Sequence, residues 1–169
     1  IRNANDAISL AQTAEGALSK INDMGQRMRE LAVQSANATN NESDRASLNQ
    51  EYQALAEEIK RTLSSTAFNG TKMFAAGAAL TFQVGANNAT TDQITINLAT
   101  ITTDTDFTGA LGTSTASAPG ISSFTFATDA LGKLDTMLAK INSKRAEFGA
   151  IQNRFQAVIE NLQVSAENQ

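Results

Sequence analysis

Polar and apolar positions alternate along the chain with two different periods. Leu10, Ala14, Ala17, Ile21, Met24, Met28, Leu31 and Ser35 follow one another at alternating steps of four and three. That is a heptad seam, and it predicts a helix over residues 4–37. Glu15, Lys20, Asp23, Arg27 and Glu30 form the face turned away from it. Gly25 is the weak point, at about 1 kcal/mol against Ala in a helix interior. Residues 37–41 are rich in Asn and break the pattern, so a turn is expected there. Ser43 is the predicted N-cap of a second helix, with Asp44 in its first turn. Its stripe is Leu48, Tyr52, Leu55, Ile59 and Leu63, and Ser64, Ser65, Asn69 and Gly70 end it.

From Leu80 the period becomes two. Leu80, Phe82 and Val84 alternate with Thr81 and Gln83, and Ile94, Ile96 and Leu98 with Thr95 and Asn97. This predicts a β-hairpin over residues 80–98 with one buried face and a loop longer than a two-residue turn. Residues 99–126 are dominated by Thr, Ser, Gly, Ala and Asp and hold Pro119, the single proline. They read as a mobile surface excursion, too polar to form a core alone. Phe124 and Phe126 are expected to anchor the chain before the last helix.

Over residues 127–166 the helical period returns. Leu131, Leu134, Leu138, Ile141, Phe148, Phe155, Ile159, Leu162 and Ala166 form a stripe that Met137, Ile151 and Val158 widen. Arg145 and Gln152 occupy two positions of the same series. A helix of ~40 residues would run about 60 Å, and a rod that long buries its stripe only against partner helices. The predicted fold is therefore mainly α. It is an elongated three-helix rod of two N-terminal helices and one long C-terminal helix, with a β-hairpin subdomain. Its parts are residues 1–79 (N-terminal helical part of the core), 80–98 (hairpin), 99–126 (short variable excursion) and 127–169 (long C-terminal helix of the same core).

The chain has 169 residues, a net charge of −4, and no Cys, His or Trp. Those absences remove disulfides, thiolate or imidazole metal sites and nucleophilic mechanisms built on Cys or His. Lys and Arg are interspersed with Asp and Glu, so no nucleic-acid footprint stands out. No apolar run approaches the ~18 residues of a membrane span. No catalytic site and no cofactor is expected. Asp104, Thr105 and Asp106 resemble the start of a calcium loop but lack its Gly and bidentate Glu, and read as a solvated turn. The glycosylation patterns at Asn37, Asn41, Asn69 and Asn88 are of a kind that chance supplies in a chain rich in Asn and Thr.

Two stretches carry a resemblance. One is Gln26-Arg27-Met28-Arg29-Glu30-Leu31-Ala32-Val33-Gln34-Ser35-Ala36-Asn37, and the other is Gly149-Ala150-Ile151-Gln152-Asn153-Arg154-Phe155. With Asn3-Ala4-Asn5-Asp6, Phe68-Asn69-Gly70 and Phe82-Gln83-Val84-Gly85-Ala86-Asn87, they closely resemble bacterial flagellin over residues 1–98 and 127–166. The resemblance implies the core domain of a flagellar filament subunit, a structural protein that is exported and works outside the cell. It further implies a fragment without the terminal polymerisation helices, monomeric in solution, with a nearly absent outer domain. The implied partners are other flagellin subunits and the vertebrate Toll-like receptor for flagellin, without nucleic acid and without membrane insertion. A hook–filament junction protein, or an adhesin-like module on the same fold, is the alternative.

By the same resemblance, the receptor reads a patch matching Gln26, Arg27, Leu31 and Gln34 of the first helix and Glu51 of the second. Leu134, Leu138 and Arg154 match positions whose alteration affects recognition. Read from the residues alone, Leu31, Leu134 and Leu138 are also core positions, and the polar residues are a solvated face. Gly25 departs from the family, which commonly has a larger apolar residue there. The implied effect is a looser helix or a lost receptor contact. The family also associates the hairpin with two subunit states.

Overall fold

The structure, a computed structural model, describes residues 1–74, 78–85, 87, 89–98, 101, 104–112 and 118–168. In chain order these form α1 (Arg2–Ser35), α2 (Glu42–Ser65), β1 (Ala67–Phe68), β2 (Thr71–Lys72), β3 (Ala78–Gln83), β4 (Gln93–Leu98), α3 (Thr105–Leu111) and α4 (Phe124–Glu167). The mainly helical rod with a hairpin is as expected. With 44 residues, α4 is about 66 Å long. None of the described helices is both long and apolar enough to cross a membrane.

Helix α1 is the shared element, packing against α4 on one side and α2 on the other. This position widens its buried face beyond the predicted seam. Ala11, Leu18, Gly25 and Ala32 are buried, whereas Ala17 and Met24 are half-buried. Gly25 faces α4 and Ala17 lines the groove toward α2. A helix between two neighbours needs apolar residues on both flanks of its seam. In α4, Leu134, Met137, Leu138, Ile141, Phe148 and Phe155 are buried as expected, while Leu131, Ile159 and Leu162 are half-buried. The side chain of Ala166 lies outside the described residues.

The turn after α1 is organised by side chains. Asn41, not Ser43, caps α2: its side chain accepts from the Asp44 amide, and Asp44 Oδ2 accepts from the Asn41 amide at 3.1 Å. This reciprocal capping box satisfies donors at the helix start. Arg45 of α2 reaches back to the end of α1, donating to the carbonyls of Ser35, Asn37 and Asn40. The last turn of α1 has no basic residue of its own, so Arg45 supplies the charge that its exposed carbonyls favour.

Asn69 (φ 48°) and Gly70 (φ 79°) do more than stop α2. Two successive left-handed residues make a tight two-residue turn, here joining β1 to β2. In the second hairpin Leu80 opposes Ile96 and Phe82 opposes Ile94, as the alternation predicted. The other face carries a Thr81–Thr95 hydroxyl pair at 3.1 Å. Phe82 meets Phe155 edge-to-face, with ring centroids 5.7 Å apart and planes at 82°, an arrangement that the ring quadrupoles favour. Asn3 Nδ2 donates to the Gln83 carbonyl at 3.0 Å, tying the hairpin to the start of α1.

The described part of residues 99–126 is docked rather than a loose excursion. Phe107, Ala110 and Leu111 of α3 are buried, and α3 lies against both α4 and α2. Asp104 is no solvated turn. It caps α3 by accepting from the Asp106 amide and pairs with Lys140 of α4 at 2.8 Å. Partial burial pushes its carboxyl up, but the Lys140 hydrogen bond, the Asp106 amide and the charges of Lys140 and Lys144 outweigh that, so the net direction is down. Ahead of α4, Gln53 Nε2 donates to the Ala118 carbonyl at 2.8 Å and the Ile121 amide donates to Asn49 Oδ1 at 2.8 Å. Ser35 Oγ donates to the Ile121 carbonyl at 2.5 Å. These bonds strap residues 118–121 across α1 and α2, with Ala118 and Ile121 buried beneath. Phe124 and Phe126 are not anchors. They open α4, which therefore begins at 124 and not 127, and are 57% and 58% exposed.

Tyr52 of α2 is fully buried and its hydroxyl has no hydrogen-bond partner among the described residues. Burial, with the negative charge of Asp129 adding to it, pushes its pKa up from 10.0 to about 12. The folded state thus favours the neutral phenol. This contribution is complete below the unfolded value and is lost as pH rises through the folded one. The chain has one Tyr, so tyrosinate absorbance reads this residue alone. Tyrosinate absorbance and loss of helical circular dichroism should rise together between pH 10 and about 12. Tyr52→Phe should move the helix loss to higher pH.

Candidate functional site

The candidate patch is built on α1 and α2. Residues 26, 27, 30 and 34 recur at steps of one, three and four, so they share one flank of α1. Gln26, Arg27, Glu30 and Gln34 are exposed there, as is Glu51 of α2. Arg27 Nε donates to Glu51 Oε1 at 2.8 Å, and its Nη1 donates to Glu30 Oε2 at 3.1 Å. The hydrogen bond from Arg27 to Glu51, then that to Glu30, holds the guanidinium above its ordinary pKa. Gln34 and Glu51 also line one shallow groove with Asn40, Asp44, Ser47 and Leu48. Gln26, Arg27, Gln34 and Glu51 therefore share one surface, and the fold adds Glu30 to them.

Four expected site residues lie elsewhere. Leu31 and Leu134 are fully buried and Leu138 is 5% exposed. In the folded chain they are core residues and not surface contacts. Arg154 is exposed, but α1 and α4 run antiparallel, with Glu15 beside Gln152 and Arg29 beside Asp135. Arg154 is therefore roughly 20 Å along the rod from Arg27 at 1.5 Å per residue.

Two arginines of α1, two residues apart, reach in opposite directions. Arg27 pairs with α2, and Arg29 Nε donates to Asp135 of α4 at 2.6 Å. These pairs are about half exposed, and water screens such contacts. They orient side chains more than they hold the helices together. Sequence spacing placed Arg27 on the outer face, but no local signal links it to a residue on another helix. Glu15, assigned to the outer face, is instead half-buried and accepts from Gln152 Nε2 of α4 at 3.1 Å.

Gly25 is buried on the side of α1 that faces α4, away from the patch. A Cβ there would lie 2.9 Å from Leu138 Cδ2 and 3.2 Å from Met137 Cε. The residue faces α4, so its small size removes nothing from the exposed surface and lets Leu138 pack onto the α1 backbone. Among the described residues, no group of three or more Asp and Glu side chains is placed to hold a metal ion.

A family model described as the bacterial flagellin N-terminal helical region matches residues 1–79. A flagellin of Halalkalibacterium halodurans is 43% identical over 168 residues, covering 99% of this chain and 59% of that protein. A Salmonella typhimurium flagellin is 52% identical over 107 residues, covering 62% of this chain and 22% of that protein. The chain thus spans about three fifths of the length of the first of these relatives and about a fifth of the second. The crystal structure of Bacillus cereus flagellin superposes with a TM-score of 0.81 at 34% identity, over 95% of this chain and 88% of that one. A structure of FliC from Burkholderia pseudomallei shares the fold, with a TM-score of 0.71 at 22% identity, over 88% of this chain and 99% of that one.

The Gly25 contacts lead to an expected double-mutant result. Gly25→Ala gains about 1 kcal/mol of helix propensity and opposes it with an overpacking cost on the order of 1–3 kcal/mol. Shortening Leu138 to Val should relieve that cost. Chemical denaturation of both single variants and the double variant should give a favourable coupling of about 0.5–2 kcal/mol. Zero coupling would mean that Leu138 turns aside freely.

Proposed function

The chain belongs to the bacterial flagellin family, and from this we propose that it forms the core of a subunit of the extracellular flagellar filament. The family is one of structural proteins. The function is accordingly mechanical: subunits pack through their helical cores into a stiff tube that turns for motility. The observation that carries the reading is the match to Bacillus cereus flagellin at a TM-score of 0.81 over 95% of this chain. A rod whose two longest helices pack along their length resists bending, because any curvature must strain close-packed side chains. The hook–filament junction alternative would put a similar core to a different use. Complementation separates the two: the full-length protein, expressed in a strain lacking its filament subunit, should restore long filaments and swimming. Short stubs or no filaments would favour the junction reading.

We also propose that the surface of Gln26, Arg27, Gln34 and Glu51 is where the vertebrate Toll-like receptor for flagellin binds. Support comes from the Arg27–Glu51 pair, which pre-orients a planar donor fork on two packed helices. Leu31, Leu134 and Leu138 would influence recognition only by holding α1 and α4 in place. Arg154 would belong to a separate part of the contact or to none.

The purified receptor ectodomain tests this second reading. Replacing Arg27 and Glu51 together with Ala should weaken binding roughly thirtyfold, with circular dichroism unchanged. Equal binding by the parent and the double variant would exclude this surface.

A further inference from the structure

We propose that Asn69 is a spontaneous modification site, which closes on the Gly70 amide with loss of ammonia and reopens with water to aspartate and isoaspartate. The proposal does not depend on filament assembly or on receptor binding.

The turn between β1 and β2 requires residues that tolerate the left-handed region. Among the described residues Asn69 is the only non-glycine with positive φ, at 48°, and Gly70 follows at 79°. Asn followed by Gly adopts such a pair at the least cost. The same dipeptide is chemically labile. It places a side-chain amide next to a backbone nitrogen that no side chain shields, and Asn69 is the only Asn of the chain followed by Gly.

The site is open to the reaction. Asn69 and Gly70 are exposed, and a Cβ at Gly70 would meet nothing within 4 Å. Neither the Asn69 side chain nor the Gly70 amide has a hydrogen-bond partner among the described residues. Ring closure requires the Asn69 backbone to leave its left-handed setting. The hairpin allows this, because β1 and β2 pair only through Ala67 with Lys72 and Phe68 with Thr71. A ladder that short frays readily.

The Gly70 nitrogen, its proton taken by hydroxide, attacks Asn69 Cγ. The new N–Cγ bond closes a succinimide, the Cγ–Nδ2 bond breaks, and Nδ2 leaves as ammonia. Water then adds to one of the two ring carbonyls. Cleavage of the N–Cγ bond leaves aspartate, and cleavage of the original peptide bond leaves isoaspartate, with the main chain running through Cβ and Cγ. The sum is hydrolysis of an amide, with no change of oxidation state.

The two products differ in consequence. Aspartate keeps the turn, because Asp also tolerates the left-handed region. Isoaspartate adds a backbone carbon between Phe68 and Thr71, and a two-residue turn cannot absorb it without losing register. Strand β2 leads straight into Met73 and Phe74, which are buried, and the Met73 amide donates to the Thr66 carbonyl at 3.0 Å. Isoaspartate therefore loosens this anchor at the end of α2 and leaves the α1–α4 packing intact.

Incubation of the full 169-residue chain at neutral pH and body temperature, followed by peptide mass mapping, tests this. Asn69 should convert ahead of every other asparagine, faster in mild alkali, with isoaspartate as the larger product. In the isoaspartate form the Met73 amide should lose its hydrogen-exchange protection while helical circular dichroism is unchanged. Asn69→Gly, which keeps the left-handed turn, should abolish both the ammonia release at this site and the loss of Met73 protection. The same chain in denaturant gives the unrestrained rate. Conversion there, with Asn69 intact in the folded chain, would mean that the turn protects the residue and would overturn the proposal. So would conversion of other asparagines in the folded chain as early as Asn69.

Discussion

Everything else in the rod depends on α1 being packed from two sides at once. A helix with one neighbour needs a single narrow stripe, but α1 must match α4 along one flank and α2 along the other. Small residues carry much of this load. Ala4, Ala7, Ala11, Ala14 and Ala32 are buried along its length, and Gly25 sits directly beneath Leu138. Small side chains bring helix axes close, and larger ones from the neighbours fill the remaining volume. Tyr52 and Ile59 do so from α2, and Leu134, Met137 and Ile141 from α4.

With α1 in the middle, α3 and residues 118–121 fill what lies between the outer helices. Phe107 and Leu111 provide the apolar part of that filling. Asn49, Gln53 and Ser35 provide the polar part, bonding to backbone groups of a segment that has no strand or helix partner of its own. Buried backbone amides and carbonyls must be paired somewhere, and here side chains on two helices do it. The same logic explains Arg45, whose guanidinium closes the end of α1 from the start of α2. The polar patch at Arg27 and Glu51 rests on this framework. Its geometry is maintained by buried contacts beneath it more than by the exposed ion pairs.

The seam itself is not uniformly apolar. Glu15 accepts from Gln152 and faces Arg145, and Arg29, two heptads on, pairs with Asp135. Such flanking charges favour one register and one relative direction of two helices over their alternatives. Apolar residues alone would tolerate slippage by a heptad, since each would meet another of its kind. A polar row makes that slippage costly.

Several features were determined by the sequence alone. The heptad steps from Leu10 to Ser35 and the long stripe from Leu131 to Leu162 specify helices through local periodicity. The alternation at Leu80–Phe82 and Ile94–Ile96 likewise specifies a hairpin and the face it buries. The motifs at Gln26 to Asn37 and Gly149 to Phe155 carry the family resemblance by themselves. Tertiary structure decided whatever depends on which elements become neighbours. It placed Leu31, Leu134 and Leu138 in the core and left Arg27 and Glu51 at the surface. It turned Glu15 inward, made Gly25 a packing position and docked α3 in a stretch whose composition reads as loop. A helical period reveals which residues share a face, but not how many neighbours that face must satisfy. That number is fixed only when distant segments meet.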